Sequence, residues 1–421
     1  MNRFLKTTLT LMTLFRVIIV GCQKKPTAPN IDIPNEQLGP EIGMPNSNYD
    51  FVVSAVDPDD EAVSVRLDWG DGIISDWSSF VPSGQPIKLT HSWTNPGTYE
   101  IKVQAKDASD AVSNWAIVHR IMISDDGYPN RVIATIPVGH HPLDITALPN
   151  GEYVYVANRD DDNVSVIRTE DNTVIATVPV GDAPDGIVAS PNGQYVYVVN
   201  RNGNSISVIS TATNTVETTI PMSYGPINIT VLPNGNYLYV TNGDYHSITK
   251  VNAQNNTVEK TFPLSGGPVG ISALHNNQYI YVSQWLSNSV AVIKTSNDSV
   301  VATISVGSSP WSVVPLQNGQ YAYAINRSSD NVSVIDISNN TVIKTIPVGY
   351  GPVHAAPLHN SQYLYVFNNS NDNVTVIRTH DNTVVDTIPA GNGPCFGVAL
   401  RNNHYVYVVN EWSDNVTVIG R

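Results

Sequence analysis

The chain has 421 residues, of which 41% are hydrophobic and 14% charged. This length fits two or three domains, and the low charge content excludes a charge-rich disordered protein and a long coiled coil. Lys and Arg number 22 against 36 Asp and Glu, and the net charge of -14 argues against a nucleic-acid partner. Two cysteines cannot form a disulfide framework, and 28 Gly with 28 Pro favour strands and turns.

Residues 1–22, MNRFLKTTLTLMTLFRVIIVGC, have the features of an export signal. Basic Arg3 and Lys6 precede an apolar run that is too short to span a bilayer. The run ends at Gly21-Cys22, which resembles the lipobox of bacterial lipoproteins. This resemblance implies a lipid on Cys22 and an exported, membrane-anchored protein, at the outer membrane or cell surface. An ordinary cleaved signal is the alternative. Residues 23–38 are polar and read as a flexible tether.

Residues 39–125 predict a small immunoglobulin-like β-sandwich. Short alternating runs are separated by turn signals such as Gly70-Asp71-Gly72 and Asn95-Pro96-Gly97. The predicted strands are Tyr49–Ala55, Val63–Trp69, Ile87–Trp93, Thr98–Ala105 and Ala116–Ser124.

Three motifs in this region resemble the PKD domain, in the same order and spacing. They are Trp69-Gly70-Asp71-Gly72, His91-Ser92-Trp93 and Pro96-Gly97-Thr98-Tyr99. The resemblance implies a non-catalytic extracellular spacer or adhesion module. An acidic cluster nearby is either a calcium site or, as we favour, a solvated turn. Its members are Asp57, Asp59, Asp60, Glu61 and Asp107.

Residues 126–421 repeat every 42 residues. Tyr-x-Tyr pairs begin at Tyr153, Tyr195, Tyr237, Tyr279, Tyr321, Tyr363 and Tyr405. Prolines recur with the same period at Pro142, Pro184, Pro226, Pro268, Pro310, Pro352 and Pro394. A fixed period near 40 with several strands per repeat predicts a seven-bladed β-propeller. In the second repeat, strands A to D are predicted at Asp185–Ala189, Tyr195–Asn200, Ser205–Ser210 and Thr215–Pro221.

The ends of the repeat array predict how the ring closes. Residues 131–139 (RVIATIPVG) resemble the strand D sequence of residues 173–181 (TVIATVPVG) but precede the first strand A. The last repeat shows strands A to C only. We therefore expect the N-terminal segment to form the outer strand of the seventh blade, which removes an exposed sheet edge.

The third repeat contains Tyr239-Val240-Thr241-Asn242, and the whole array resembles the YVTN family of seven-bladed propellers. That family occurs among exported and surface-layer proteins of bacteria and archaea. Related propellers include binding scaffolds, lactonases, a streptogramin lyase and quinone-cofactor subunits. A shared fold does not choose among these functions.

A ligand site is expected where the repeats differ, because residues common to all blades build the ring. The loops between strands D and A and between strands B and C meet at one face of a propeller. Arginines there suit carboxylates, and aromatic rings suit sugars or peptide side chains. The candidate ligand-binding residues are Arg159, Arg201, Tyr224, Trp285, Trp311, Arg327, Tyr350, His354 and Trp412.

The sequence favours a binding or interaction scaffold over an enzyme. The expected ligand is a glycan, a peptide or another envelope protein, and we expect a monomer with no cofactor. The alternative is a periplasmic lactonase- or lyase-like enzyme that uses Asp144, Asn228 and His354. A metal site formed by His140, His141 and His354 is disfavoured, and Cys395 is expected to be a small core residue.

Replacing Cys22 by Ser should abolish lipidation, because only that thiol is placed to accept the lipid. The measurement is the partition of the wild type and the C22S variant between membrane and soluble fractions of cells. A matched Cys395→Ser variant should partition as the wild type does. Equal membrane partition of C22S and the wild type would contradict the anchor.

Overall fold

The computed structural model describes residues 48–58, 60–95, 97–123, 128–223 and 225–420, together with residues 18–19, 31–32, 39, 42–43 and 45. Cys22 and most of the predicted signal and tether lie outside the described residues. The chain forms two compact units, residues 1–126 and 127–421. Two short strands, β1 (Ile18–Ile19) and β2 (Ile31–Asp32), pair antiparallel. Within the described part of the chain, no helix is long and apolar enough to cross a membrane.

The first unit contains the predicted β-sandwich. Its strands are β3 (Ile42–Gly43), β4 (Tyr49–Ser54), β5 (Val63–Asp68), β6 (Pro86–His91), β7 (Gly97–Asp107) and β8 (Ala116–Ile123). One sheet has the order β3-β8-β7-β5, and β4 pairs with β6 in the other. Alternate residues of these strands point inwards and form one core around Phe51, Trp69 and Trp93. The predicted strands are confirmed to within two residues at each end.

The aromatic residues of the PKD-like motifs form the centre of this core. Trp69 and Trp93 are buried, and the Trp93 indole nitrogen donates a hydrogen bond to the Trp69 carbonyl at 3.1 Å. His91 stacks on Trp69 with ring centroids 4.7 Å apart and contacts the Asp71 carboxylate at 2.8 Å. The hairpin that carries Gly-Asp-Gly is therefore fixed to the core by one imidazole.

Two members of the acidic cluster close turns of the sandwich. Asp107 is buried, and its Oδ1 accepts hydrogen bonds from the backbone N–H groups of Ser109 (2.9 Å) and Ala111 (2.8 Å). Asp57 is buried as well and accepts one from the Glu61 N–H at 3.3 Å. These bonds give the two carboxylates a structural role in turns, but both side chains are buried, so the expectation of a solvated turn does not hold for them. Asp59 lies outside the described residues.

The second unit is a ring of seven four-stranded antiparallel sheets. Strand β9 is Arg131–Pro137. Blades one and two contain β10 (Pro142–Ala147), β11 (Tyr153–Asn158), β12 (Asn163–Arg168), β13 (Thr173–Pro179), β14 (Pro184–Ala189), β15 (Tyr195–Asn200), β16 (Ser205–Ser210) and β17 (Thr215–Pro221). Blades three and four contain β18 (Asn228–Val231), β19 (Tyr237–Asn242), β20 (Ser247–Asn252), β21 (Thr257–Pro263), β22 (Pro268–Ala273), β23 (Tyr279–Gln284), β24 (Ser289–Lys294) and β25 (Ser299–Ser305). Blades five to seven contain β26 (Pro310–Pro315), β27 (Tyr321–Asn326), β28 (Asn331–Asp336), β29 (Thr341–Pro347), β30 (Pro352–Pro357), β31 (Tyr363–Asn368), β32 (Asn373–Arg378), β33 (Thr383–Pro389), β34 (Pro394–Ala399), β35 (Tyr405–Asn410) and β36 (Asn415–Gly420).

The seventh blade has the order β34-β35-β36-β9, so its outer strand comes from the N-terminal side of the propeller. Strand β9 pairs antiparallel with β36, from Asn415 opposite Pro137 to Gly420 opposite Arg131. Ile136 of β9 is buried in a core cluster with Val416 and Val418. The closure predicted from the sequence is confirmed, and the last strand C has no exposed edge.

A tyrosine bond joins most neighbouring blades. The second tyrosine of each Tyr-x-Tyr pair is buried, and in five of the seven blades its hydroxyl donates to a turn residue of the next blade. Tyr155 bonds the Asn214 side chain at 2.6 Å, and burial raises the Tyr155 pKa to about 12, so the hydroxyl keeps its proton. The acceptors have positive φ in the turn between strands C and D. The other such pairs are Tyr239 with Asp298, Tyr281 with Asn340, Tyr323 with Asn382, and Tyr407 with Asn172.

The interface between blades two and three lacks this bond. The residue equivalent to Asn214 is Asn256, and its buried side-chain oxygen has no hydrogen-bond partner among the described residues. Strand A of blade three, β18, has 4 residues where that of blade two has 6. In blade six, Tyr365 instead donates to the Pro129 carbonyl at 2.7 Å and so fixes the segment ahead of β9.

Strand β9 should contribute strongly to the stability of the ring. Ile136→Ala should lower the free energy of unfolding by about 2–5 kcal/mol, because Ile136 is 4% exposed within the seventh blade. Ile133→Ala on the same strand should cost less than about 1 kcal/mol, because Ile133 is 42% exposed. Urea unfolding of both variants measures the difference.

Deleting residues 130–139 should destabilise the propeller more than either substitution, because it also exposes the edge of β36. Equal costs for the two substitutions, or a deletion variant that melts with the wild type, would contradict closure by β9.

Candidate functional site

The loops between strands D and A and between strands B and C are braced by a repeated set of hydrogen bonds. In six of the seven D–A loops the second residue has positive φ, as Ala183 does with φ 54°. Its N–H donates to the last residue of the preceding B–C loop, which for Ala183 is Asp162, at 2.9 Å. Its carbonyl accepts from the residue after strand B, here the Arg201 N–H, at 2.8 Å. The same bonds join His141 to Asp414 and so connect the ends of the ring.

A buried amide at the end of strand B fixes the start of each B–C loop. Asn158 donates from Nδ2 to the Ser165 hydroxyl of strand C at 2.9 Å. A Cβ at Gly139 of the D–A loop would lie 2.7 Å from the Asn158 amide carbon, so only glycine fits there. The residues that follow these amides are therefore held at fixed positions around the channel, whatever their side chains are.

One cavity of about 200 Å³ lies at this end of the channel, which we call the mouth. Every blade contributes to its wall, mostly from strand A and from the residue after strand B. The lining residues are Leu143, Asp144, Arg159, Asp185, Gly186, Arg201, Ile227, Asn228, Val269, Trp311, Arg327, Val353, Asn369, Cys395, Phe396, Glu411 and Trp412.

Five of the residues singled out in the sequence line this cavity together. They are Arg159, Arg201, Trp311, Arg327 and Trp412. Trp285 is 40% exposed and lies edge-on to Trp311, with ring centroids 6.4 Å apart, outside the lining. Tyr350 is 65% exposed and also lies outside it. Tyr224 is not among the described residues.

His354 is placed by packing rather than by the cavity. Its ring stacks on Phe396 at 4.3 Å between centroids, and its Nδ1 atom is buried without a hydrogen-bond partner in the described structure. Burial lowers the pKa of the imidazole to about 3, so the ring is neutral. Of the proposed catalytic set, Asp144 and Asn228 line the cavity and His354 does not.

The position directly after the recurring proline was missed as a candidate in six blades, Trp311 in blade five being the exception. These residues line the cavity in all seven blades: Leu143, Asp185, Ile227, Val269, Trp311, Val353 and Cys395. In six of the blades the pairing of strand A with strand B shifts register just after the proline. Such a bulge re-aims the side chains of its strand, so the residue directly after the proline faces the cavity as well as residues two positions after it, such as Asp144 and Phe396. Cys395 is buried, as expected, but it also contributes to this wall.

Some charged side chains of the cavity are paired with other residues, and two are not. Arg201 is engaged with Asp244 at 3.1 Å and Asp185 at 3.7 Å. Glu411 contacts His141 Nε2 at 2.9 Å through Oε1 and accepts from the Asn369 amide at 3.3 Å through Oε2. Arg159 and Arg327 have no carboxylate partner at ion-pair distance among the described residues. The mouth therefore holds two guanidinium groups with free donors.

Two carboxyl groups in the cavity have raised pKa values. Burial raises the pKa of Asp185 to about 6, while the neighbouring Arg159 and Arg201 charges oppose the rise. Burial raises the pKa of Asp144 to about 8, against hydrogen bonds from the Ile187 N–H (3.0 Å) and the Ile145 N–H (2.7 Å). At neutral pH Asp144 is therefore largely protonated, and its link to Ile187 joins blades one and two.

One arginine and one histidine stack on the two indole rings of the mouth. The Arg327 guanidinium lies over Trp311, 4.8 Å from the ring centroid. His141 stacks on Trp412 at 5.2 Å between centroids, and Trp412 is 64% exposed. His140 instead contacts Asp161 at 2.9 Å, so the three histidines considered for a metal site lie in different surroundings. The described residues contain no group of three or more His, Cys, Asp or Glu that is placed to hold a metal ion.

Family models match both units of the chain. The PKD domain model matches residues 36–120, which confirms the predicted PKD-like unit. A model described as a lactonase with a 7-bladed β-propeller matches residues 174–262 and 216–344. Together with the ring of seven sheets, these matches confirm the predicted fold class of a seven-bladed propeller preceded by a PKD-like sandwich.

A solved structure shares the propeller fold. A chain of Kuenenia stuttgartiensis hydrazine synthase aligns with a TM-score of 0.63 at 20% sequence identity. The alignment covers 71% of this chain and 99% of the other. Likeness at this level of identity concerns the fold alone. No curated protein matches the sequence significantly.

The raised pKa of Asp144 should make stability fall with pH. The unfolded carboxyl ionises near pH 4, whereas the folded one keeps its proton up to about pH 8. The folded state thus binds one more proton between these values, and stability decreases as pH rises through that range. Asp144→Asn removes this contribution, so its melting temperature should fall less steeply than that of the wild type between pH 5 and 7.5. An equal fall of the melting temperature with pH in the wild type and the variant would contradict a protonated Asp144.

Proposed function

We propose that the protein is a binding scaffold whose ligand site is the mouth of the propeller. The observation that carries the proposal is the convergence of differing side chains from all seven blades on one cavity of about 200 Å³. A seven-fold array without a ligand has no need of a different residue at each equivalent place. A single asymmetric ligand does need this, because its groups face each blade differently.

The rigidity of the mouth supports binding. The residue after strand B is Arg201 in blade two, Arg327 in blade five and Glu411 in blade seven. Each of these residues donates its N–H to a D–A loop carbonyl, at 2.8, 3.1 and 2.9 Å. Side chains on a braced backbone lose little freedom when a ligand binds, which favours affinity.

The N-terminal segment gives this scaffold a proposed location. A lipid on Cys22 would anchor the chain to a membrane, and residues 23–38 would separate the anchor from the folded units. The PKD-type unit then serves as a spacer, and the propeller presents its mouth to a glycan, a peptide or an envelope protein. The propeller contains 12 Lys and Arg against 20 Asp and Glu, which disfavours a nucleic acid.

A second candidate function is hydrolysis or elimination by the same cavity. The match to the lactonase propeller model favours it, as does the Asp185 carboxyl, whose pKa of about 6 suits a general base near neutral pH. Asp185 lies 3.7 Å from Arg201 and near Arg159, and arginines are able to stabilise an oxyanion. In this alternative, Asp185→Asn abolishes turnover of a lactone and leaves its binding intact.

Binding at the mouth should depend on Trp311, which lines the cavity, and on Trp412, which is largely exposed at its rim. The first step is a screen of the soluble fragment from residue 39 onwards against arrays of glycans and peptides. Trp311→Ala and Trp412→Ala should each weaken binding of the hits by at least about tenfold, because each removes an aromatic contact surface.

Trp77→Ala in the PKD-type unit serves as a matched control, since it removes an indole outside the propeller. Melting curves of all three variants report on folding. Unchanged affinity in both mouth variants, or an equal loss in the Trp77 variant, would contradict a site at the mouth.

A further inference from the structure

Resting on the proposed binding function, we infer that the mouth recognises an acidic sugar unit of a glycan, whose carboxylate is bound by Arg159 and Arg327. The inference begins with the free donors of these two residues. Both side chains line the cavity and are half-buried, and neither has a carboxylate partner among the described residues. Arg159 lies near enough to Asp185 for its charge to act on that carboxyl, but neither guanidinium makes a direct ion pair among the described residues, so the N–H donors of both are available to an anionic ligand group.

Arg201 shows by contrast what an engaged arginine looks like at the equivalent position. Its guanidinium contacts both Asp244 and Asp185, and so its N–H donors bind residues of the protein rather than a ligand. Arg327 lies over the Trp311 ring, which restricts the position of its guanidinium, and it makes no ion pair among the described residues. A planar guanidinium held in this way suits the two oxygens of a carboxylate.

The charge balance of the cavity favours a net negative ligand. The cavity holds three arginines against Asp185 and Glu411, whereas its third carboxyl, Asp144, is largely protonated at neutral pH. Each ionised carboxylate already has a cationic or imidazole neighbour, Arg201 or His141. The cavity therefore offers no unpaired carboxylate to bind an ammonium group, which argues against the zwitterion of an amino acid as the ligand.

The remaining polar atoms suit hydroxyl groups. Asp185, Glu411, Asn228 and Asn369 line the wall, and carboxylate and amide oxygens of this kind accept hydrogen bonds from O–H donors. Apolar wall residues such as Val269 and Phe396 complete a surface for C–H groups. A ligand with one carboxylate, several hydroxyls and an apolar ring face is a hexuronic acid or a similar acidic sugar.

The size of the cavity indicates that one unit enters it. Its volume of about 200 Å³ is below the ~300–1,000 Å³ of pockets that enclose a drug-sized ligand. The cavity thus accepts the end of a chain rather than a whole oligosaccharide. Trp412, 64% exposed at the rim, offers a flat surface for the next sugar ring.

The test compares three probes by titration calorimetry on the soluble fragment from residue 39 onwards. They are a hexuronic-acid trisaccharide, the neutral hexose trisaccharide of the same stereochemistry and linkage, and the tripeptide Ala-Ala-Glu. The acidic trisaccharide should bind at least about tenfold more tightly than the neutral one, because the neutral sugar leaves both arginines unpaired. Its affinity should also fall as salt is added.

Arg159→Gln and Arg327→Gln should each weaken the acidic trisaccharide by at least about tenfold and leave the neutral one nearly unchanged. Arg327→Lys, which keeps the charge but not the planar fork, should be intermediate. Arg168→Gln is the matched control, because it removes the same charge from the opposite end of a strand of blade one, where Arg168 pairs with Asp171. It should bind as the wild type does, and melting curves confirm that all variants fold.

Equal binding of the acidic and neutral trisaccharides, or full affinity in both arginine variants, overturns the inference while the mouth still binds a ligand. Preference for the tripeptide overturns it in favour of a peptide ligand. Absence of binding by every probe overturns it as well. The proposed function is judged separately, by whether Trp311→Ala weakens the hits of the wider screen.

Discussion

The ring depends on the hydrogen bond from a buried tyrosine hydroxyl to a turn of the next blade. Each blade alone is a small twisted sheet with two apolar faces, which are stabilised only by burial against both neighbours. The tyrosine body packs in the core between blades, and its hydroxyl reaches an acceptor 59 residues further on, as Tyr155 does to Asn214. Burial and register are therefore set by the same side chain, and Tyr407 to Asn172 completes the circle.

This frame separates what must be constant from what is free to vary. Backbone hydrogen bonds between the D–A and B–C loops hold the mouth in place. Because these bonds use N–H and C=O groups, they form whatever side chain follows strand B. The positions that face the channel are then available for arginine, tryptophan or glutamate without cost to the fold. The arginines of the mouth consequently differ in role. Arg201 forms ion pairs within the propeller, whereas Arg159 and Arg327 form none among the described residues and are available to a ligand.

The sequence predicted the architecture well because a repeat displays the same pattern seven times, so chance agreement at one blade is averaged out. Strand bounds in blade two differ from the prediction by one residue, at Pro184. The cavity was predicted in part. Arg159 and Trp311 were found because they break the symmetry, whereas Asp185 was missed because the bulge after Pro184 brings a further residue of the strand to the channel. Local alternation carries no signal for such a shift.

The interface between blades two and three has a consequence for motion. A closed ring distributes strain around its circumference, and it yields first where a cross-link is absent. Among the described residues the buried Asn256 oxygen has no partner there, and β18 is shortened, whereas most other interfaces carry a tyrosine bond. Transient opening of the propeller should thus start at this seam, so amide protons of β18 exchange with solvent sooner than those of β14. The propeller therefore has one interface at which it opens first, whereas β9 keeps the seventh blade closed.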